Sequence, residues 1–470
     1  MGAEKNIIAI ELGSSSIRGI VGQRKPDGTL QVLGYERENT PDCVRKGVIY
    51  NIDKTVQAIA NILKRIEERQ KVFVNKVYVG ISGQSLHTVK NCVTRQLDAR
   101  MAISEEVVDS LMDINLTQSY DESEILDVAP QEYRVGSRLI NDPVGVMADR
   151  IEGFYENVVA RTVLRENISR CLAALNKEVA HFYISPLLLS GYLLTDTEKR
   201  SGCALVDFGA ETTTVAIYEK NILRHLMVIP LGGNNITTDI AASQHIEMEE
   251  AEQLKRMYGS AYTDEADMTA PRQINISNDR VVDEKTLLNI IEARQQEIIM
   301  NVWHQIAAYA DRLLSGVIVT GGAANIRNID TAFLNYTGFD KQFKVRHMPS
   351  TTEFTTTLKL DPQANNIATL VAMLRRGDQE CTSEMPREPE LFDARQQTEL
   401  PPAGKGQLNG EGVVNNPAPA TTDSAASDGA AVEDREENKE PEEPKEKKPG
   451  AFKRFGKWLK EVSSTIVEEN

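Results

Sequence analysis

No two cysteines in this 470-residue chain are spaced Cys-x-x-Cys. The five present, Cys43, Cys92, Cys171, Cys203 and Cys381, are scattered and odd in number. That excludes a zinc ribbon, argues against a disulfide framework and fits a reduced cytosolic protein. No apolar run is long enough to span a bilayer. Met1-Gly2-Ala3-Glu4-Lys5 leads straight into an apolar strand, so no signal peptide is expected, and Asn6 breaks the myristoylation pattern that Gly2 would open. Positive charge is also short: 53 Lys and Arg face 69 Asp and Glu, a formal net charge of -16. Such a balance argues against a general nucleic-acid binder. The Gly-Lys-Ser/Thr phosphate loop is missing from the glycine turns described below.

What is present reads as an α/β protein of more than one domain up to about residue 380. "TVQAIANILKRIEERQ" (Thr55–Gln70) puts Val56, Ile59, Ile62 and Leu63 on one helical face, and "VNKVYVGIS" (Val74–Ser82) reads as a strand. From Cys381 the chain turns rich in Pro, Glu, Lys, Ala and Gly, and 381–449 reads as a disordered linker.

The first informative stretch is "IIAIELGSSSIRGIVG" (Ile7–Gly22), two apolar strands about a Gly-Ser-Ser-Ser turn with Glu11 just before it. Gly and Ser are ordinary hairpin residues, so this turn alone decides nothing. The form recurs in "CALVDFGAETTTVAIYEKN" (Cys203–Asn221), where Asp207 stands before Gly209 as Glu11 stands before Gly13. A repeat at this separation implies two similar halves. If the halves face each other, both turns enter one cleft. Backbone N–H groups at such Gly turns can then approach phosphate oxygens, with Ser and Thr hydroxyls as further donors. Glu11 and Asp207 can hold Mg²⁺ through water.

"GVIVTGGAANIRNI" (Gly316–Ile329) reads as a strand, a Gly-Gly turn and the start of a helix, in which Gly321 and Gly322 leave room for a flat ring. "EEAEQLKRMYG" (Glu249–Gly259) reads as a helix with Glu252, Lys255 and Arg256 on one face, able to meet ribose hydroxyls and cover a purine. A solvated charged face has the same pattern. "IPLGGNNITTDIA" (Ile229–Ala242) adds the turn Gly232-Gly233.

This order of elements resembles the actin / heat-shock chaperone / sugar kinase superfamily and, within it, the FtsA family of bacterial cell-division proteins. The resemblance covers nearly the whole chain. It implies an actin-like two-lobed α/β fold with an inserted small α+β domain in the first half, a disordered linker and a C-terminal amphipathic helix. Residues 1–83 and 165–200 would form the first lobe and 84–164 the insert, on the strength of "ISGQSLHTVKNCVTRQL" and "YRVGSRLINDPVGVMADRIEG". Residues 201–233 and 315–380 would form the second lobe, with a further insertion at 234–314. Carried over by position, Gly13, Ser14, Ser15 and Ser16 would hold the β- and γ-phosphates of ATP. Asp207, Gly209, Ala210 and Thr212 would form the second phosphate loop, and Gly232 and Gly233 would lie beside the nucleotide. Glu252, Lys255, Arg256, Gly321, Gly322, Ala323 and Asn325 would contact adenosine.

The chain departs from the superfamily pattern at three places. Glu11 replaces the usual Asp; Ala210 and Glu211 replace glycines in "DFGAETTT"; and Ser185 precedes Pro186 where chaperones place a catalytic Glu. Missing a general base, the site is expected to bind ATP with weak or absent hydrolysis and not to act as an enzyme. A small-molecule kinase and a PilM-like pilus scaffold are the competing readings.

The end of the chain discriminates them. In "AFKRFGKWLKEVSSTIVEEN", Phe452, Phe455, Leu459, Val462 and Ile466 form a helical stripe edged by Trp458 and flanked by Lys453, Arg454, Lys457 and Lys460. Over 450–467 this reads as an amphipathic helix for an anionic membrane surface. About 65 flexible residues before it would span roughly 45 Å, which suits a tether. One such helix binds weakly, so avidity from a filament is the physical reason to join it to an actin-like body. The resemblance implies self-assembly, a contact between 234–314 and the FtsZ C-terminal peptide, recruitment of later division proteins, and a place on the cytoplasmic face of the inner membrane at the septum.

Overall fold

The computed structural model describes residues 5–25, 27, 29–39, 42–264, 272–276, 280–349, 354–358 and 367–384. The linker expected at 381–449 lies outside these residues except for its first four, and the amphipathic helix expected at 450–467 lies wholly outside them. Among the described residues no helix is long and apolar enough to cross a membrane.

The opening stretch forms a hairpin of two strands, Lys5–Leu12 and Ser16–Arg24, followed by Leu30–Asn39 as a third antiparallel strand. Lys76–Ile81 joins the first strand in parallel, and Glu178–Ile184 joins Lys76–Ile81 in parallel. The inner faces read Ile7, Ile8, Ile10, Ile17 and Ile20, all essentially inaccessible. Helix Ile52–Gln70 covers this sheet; Asn51 caps it through the Lys54 amide, and Ile59, Ile62, Leu63 and Ile66 are its buried stripe. The strand expected at Val74–Ser82 is interrupted at Asn75, giving Val72–Val74 and Lys76–Ile81.

The second half repeats the plan. Cys203–Phe208, Thr213–Glu219 and Ile222–Ile229 form an antiparallel meander, and Val317–Thr320 and Phe343–Val345 add in parallel. The two sheets thus share one strand order, which is what the duplicated hairpin implied. One buried cluster joins the first sheet to one side of the second, through Leu205, Ala216, Leu226 and Ile318; the other lies on the second sheet's opposite side, around Val206, Phe208, Val215 and Val317.

The insert consists of strands His87–Ala102, Ser123–Val135, Arg138–Ile140 and Met147–Arg161 and helix Glu105–Leu116. A single pairing, Met227 with His87, continues the second sheet into it, so that sheet counts nine strands. Side chains reinforce the join: Thr88 Oγ1 accepts from the Leu226 amide at 3.0 Å, and Gln131 Nε2 donates to the Leu223 carbonyl at 2.8 Å.

The end of the body corrects the expectation that 315–380 belongs to the second lobe throughout. Phe354–Thr356 pairs with Leu30–Asn39 of the first sheet, and helix Ala368–Arg376 is buried in the first cluster. Thr382–Glu384 then pairs with Val72–Val74, past the expected boundary at 380. The Tyr78 hydroxyl accepts from the amides of Asp378 and Gln379, each at 2.9 Å, fixing this return. The apolar run "IATLVAMLRR" is buried against strands Lys5–Leu12, Ser16–Arg24 and Lys76–Ile81.

Candidate nucleotide site

In the first hairpin the Gly13 amide donates to the Ser16 carbonyl at 3.1 Å, closing a tight turn. Ser15 is exposed at its tip, Ser14 is half-buried and Ser16 is buried at the start of the return strand. Register sets Glu11 opposite Arg18, and the two form an ion pair at 2.8 Å with both side chains largely covered. Arg18 was not among the residues singled out. The hairpin centre at Ser14-Ser15 already places it across from Glu11, so the signal was in the spacing.

In the second hairpin the Gly209 amide donates to the Thr212 carbonyl at 2.9 Å. Asp207 lies beneath this turn. Burial pushes its carboxyl up to about 6, reinforced by the charge of Glu11 and opposed by Arg18. Glu11, Arg18 and Asp207 therefore form one electrostatic group, drawn from both hairpins. The Glu211 carboxylate accepts from the amide of Lys46 at 2.7 Å.

Gly232-Gly233 sits directly on the second loop. The Gly233 amide donates to the Gly209 carbonyl at 3.0 Å, and the Asn234 amide to the Ala210 carbonyl at 2.6 Å. A Cβ on Gly232 would lie 2.6 Å from the Ala210 carbonyl oxygen, so only glycine fits there. Helix Gly233–Gln244 begins at this point, and helix Met248–Tyr258 packs beside it.

Glu252, Lys255 and Arg256 share a face as expected, but their roles differ. The Lys255 ammonium donates to the Gly233 carbonyl at 2.9 Å and to Thr237 Oγ1 at 2.7 Å, and pairs with Glu252. Burial draws its pKa down against the pull of Glu252. Thr237, also not singled out from sequence, donates to Glu252 Oε2 at 2.6 Å. Lys255 is thus a strut under the Gly232-Gly233 turn, whereas Arg256 is exposed on Glu252. The Gly233 position also faces the Ala323 methyl, 3.1 Å from an added Cβ, which brings the helix pair against the Gly-Gly loop.

That loop is a short 3-10 turn, Gly322–Asn325, with the following helix starting only at Ile329. Gly321 has φ +92°, and a Cβ there would fall 2.3 Å from Asp207 Oδ1. Gly322 has open space on its Cβ side, with Asn325 Nδ2 donating to its carbonyl at 3.3 Å. The structure therefore gathers the second hairpin loop, the Gly232-Gly233 turn and the Gly-Gly loop around Asp207 and Gly209, with Glu11 and Arg18 of the first hairpin acting on the Asp207 carboxyl. Gly322 offers the uncovered backbone face a ring needs. Ser185 is buried at the head of helix Ser185–Leu193, its hydroxyl against Gly80.

Among the described residues no group of three or more His, Cys, Asp or Glu side chains could hold a metal. The donor set at the site is two carboxylates, one engaged by Arg18. It suits a hydrated Mg²⁺ brought in on phosphates better than a resident ion.

Comparison with known proteins bears on the family and the fold. The family model for cell division protein FtsA matches residues 204–366, and that for the SHS2 domain inserted in FtsA matches 83–159. Cell division protein FtsA of Bacillus subtilis is 30% identical over 325 residues, 67% of this chain and 73% of that protein. The Pseudomonas aeruginosa protein is 26% identical over 331 residues (68% and 78%), and the Escherichia coli protein 24% over 338 (69% and 80%). Among solved structures, the PilM-PilN type IV pilus biogenesis complex superposes with a TM-score of 0.54 at 13% identity, covering 79% of this chain and 98% of that one. At that identity the likeness is one of fold alone. The architecture is the actin-like, two-lobed one, with the small domain inserted in its first half. This chain belongs to the FtsA family of cell division proteins.

Proposed function

We propose that the chain is an ATP-binding, actin-like division protein that assembles into filaments on the cytoplasmic face of the inner membrane, ties the FtsZ ring to it and recruits later division proteins at the septum. The observation that carries the nucleotide part is the convergence of the second hairpin loop, Gly232-Gly233 and Gly321-Gly322 on Asp207 and Gly209, with the first hairpin loop joined to the second through the amides of Lys46 and Gly47. The loop amides would hold the phosphates, Arg18 would balance their charge, and Gly322 would lie under the base. Mg²⁺, bound with the nucleotide, would shield the phosphates from Glu11 and Asp207. With a serine at position 185 and no carboxylate base in its place, hydrolysis would be weak or absent.

Membrane attachment rests on the stripe from Phe452 to Ile466 and its basic flanks. The segment 234–314 is the proposed seat of the FtsZ C-terminal peptide, and the insert at 84–164 the proposed contact for filament neighbours and later division proteins.

Sedimentation with anionic liposomes tests the whole. The full chain and one ending at Gly450 are compared, each with and without ATP. Pelleting of the full chain alone, increased by ATP, is the expected result. If both chains stay in solution or both pellet alike, the tethered-filament reading fails.

A further inference from the structure

Lys46 and Gly47 form a tight turn between the short strands Val44–Arg45 and Val48–Ile49, both residues in the left-handed region at φ 49° and 76°. Their adjacent amides serve two different halves of the molecule. The Gly47 amide donates to Ser14 Oγ at 3.0 Å, in the first hairpin loop. The Lys46 amide donates to Glu211 Oε2 at 2.7 Å, in the second. One turn thus bridges both loops, and the side chain that reaches across is an anion.

The turn is held from behind. Its Lys46 carbonyl accepts from the Gln84 amide at 3.0 Å, and a Cβ on Gly47 would lie 2.5 Å from Gly83 Cα. The two amides therefore stay aimed at the loops. A carboxylate oxygen and a terminal phosphate oxygen are equivalent partners for such an amide. Charge favours only one of them at a time. Glu11, Asp207 and Glu211 already gather near the loops, with Arg18 as the cation paired to Glu11. On the nucleotide reading, a third phosphate would add further negative charge beside Glu211 and compete for the same amide; a diphosphate would end one phosphate earlier.

Building on the nucleotide reading above, we propose that Glu211 sets the site's preference for nucleoside diphosphate over triphosphate, its carboxylate taking the place of the terminal phosphate on the Lys46 amide. The bridged arrangement of the two halves then persists without a third phosphate.

Titration calorimetry of the full chain tests this, using ADP and a non-hydrolysable ATP analogue, both with Mg²⁺. The wild type is expected to bind ADP several-fold tighter. Glu211→Gln keeps an acceptor oxygen for Lys46 but loses the charge, and should tighten the triphosphate about tenfold while moving ADP little. Glu211→Asp keeps the charge and should keep the preference for ADP. An unchanged triphosphate-to-diphosphate ratio in Glu211→Gln overturns the proposal, as does a Glu211→Asp variant that behaves like Glu211→Gln. If neither nucleotide binds either the wild type or Glu211→Gln, the nucleotide reading itself falls and takes this inference with it.

Discussion

Arg346 grips Glu198 with two parallel hydrogen bonds, Nη1 to Oε2 at 2.8 Å and Nη2 to Oε1 at 2.7 Å. It also donates to the Leu193 carbonyl at 2.7 Å. Glu198 lies in the short helix Asp196–Ser201 that leads into the second sheet, and Arg346 follows that sheet's last strand. The pair therefore fastens the crossing between the two halves. The Arg346 guanidinium pulls the Glu198 carboxyl down to about 2, from 4.5, with the Thr195 amide assisting. A depressed carboxylate gives stability that is present above the unfolded value and lost as pH falls through the folded one. Arg346→Ala should thus cost about 2–4 kcal/mol at neutral pH, because it leaves a covered carboxylate without its partner. In urea titrations the gap to wild type should narrow as pH drops below 4.5. A gap of constant size down to pH 3 would refute the ionic account.

Glu156 has the opposite sign. It sits on strand Met147–Arg161 of the insert at 3% exposure, and Lys90 reaches it only at 3.9 Å from solvent. Burial pushes its carboxyl up to about 7 despite Lys90 and Arg224. The folded state then holds its proton more tightly than the unfolded chain, so stability falls as pH rises from 4.5 to about 7 and stays reduced above. Glu156→Gln removes that cost. Its melting temperature should exceed wild type at pH 8, by an amount worth about 2 kcal/mol, and match it near pH 4.5. Equal melting temperatures at pH 8 would show that the carboxylate is stabilised by something other than its proton.

Neighbouring glycines in the Gly-Gly loop should respond differently. Gly321→Ala forces a methyl into Asp207 Oδ1 and the Phe208 carbonyl, each 2.3 Å away, at φ +92°. Strain and overlap together should cost about 3 kcal/mol or more. Gly322→Ala meets no heavy atom within 4 Å and should melt like wild type. Nucleotide titration on the folded Gly322 variants then reads the ring-facing role directly: Gly322→Leu should weaken binding while the melting temperature holds.

These contrasts mark where sequence was legible. The hairpins, their repeat and the helix at Glu249–Gly259 depend on local period and turn chemistry, which a short window contains. The Glu11–Arg18 pair was also within reach, because a hairpin's centre dictates its register. The Lys46–Glu211 bridge spans 165 positions and forms between backbone and side chain, so no local pattern announces it. Lys255 shows a different gap. Spacing put it on a face with Glu252 and Arg256 but could not say which member turns inward. The second-lobe assignment of 315–380 missed Phe354–Thr356 and Ala368–Arg376 for the same reason: apolar content marks a segment as core without saying which of two cores it joins.

Lys255 and Arg256 give the sharpest separation of framework from surface. Both pair with Glu252, yet the Lys255 side chain is 13% exposed and Arg256 74%. Lys255→Ala takes the covered cation from Glu252, which keeps only Thr237 and the exposed Arg256, and leaves the Gly233 carbonyl without the ammonium beneath it, so about 2 kcal/mol should be lost. Arg256→Ala removes only an exposed partner and should change stability by no more than about 0.5 kcal/mol. The same two variants test what the helix contributes to the site. Because Lys255 props the turn that carries Gly232 and Gly233, its loss should weaken nucleotide binding through that turn, and Lys255→Arg should not restore it, since the planar fork cannot follow an ammonium into a site shared by Gly233, Thr237 and Glu252. Full binding by Lys255→Ala would show that the turn holds its shape through the Gly209 and Ala210 carbonyls alone.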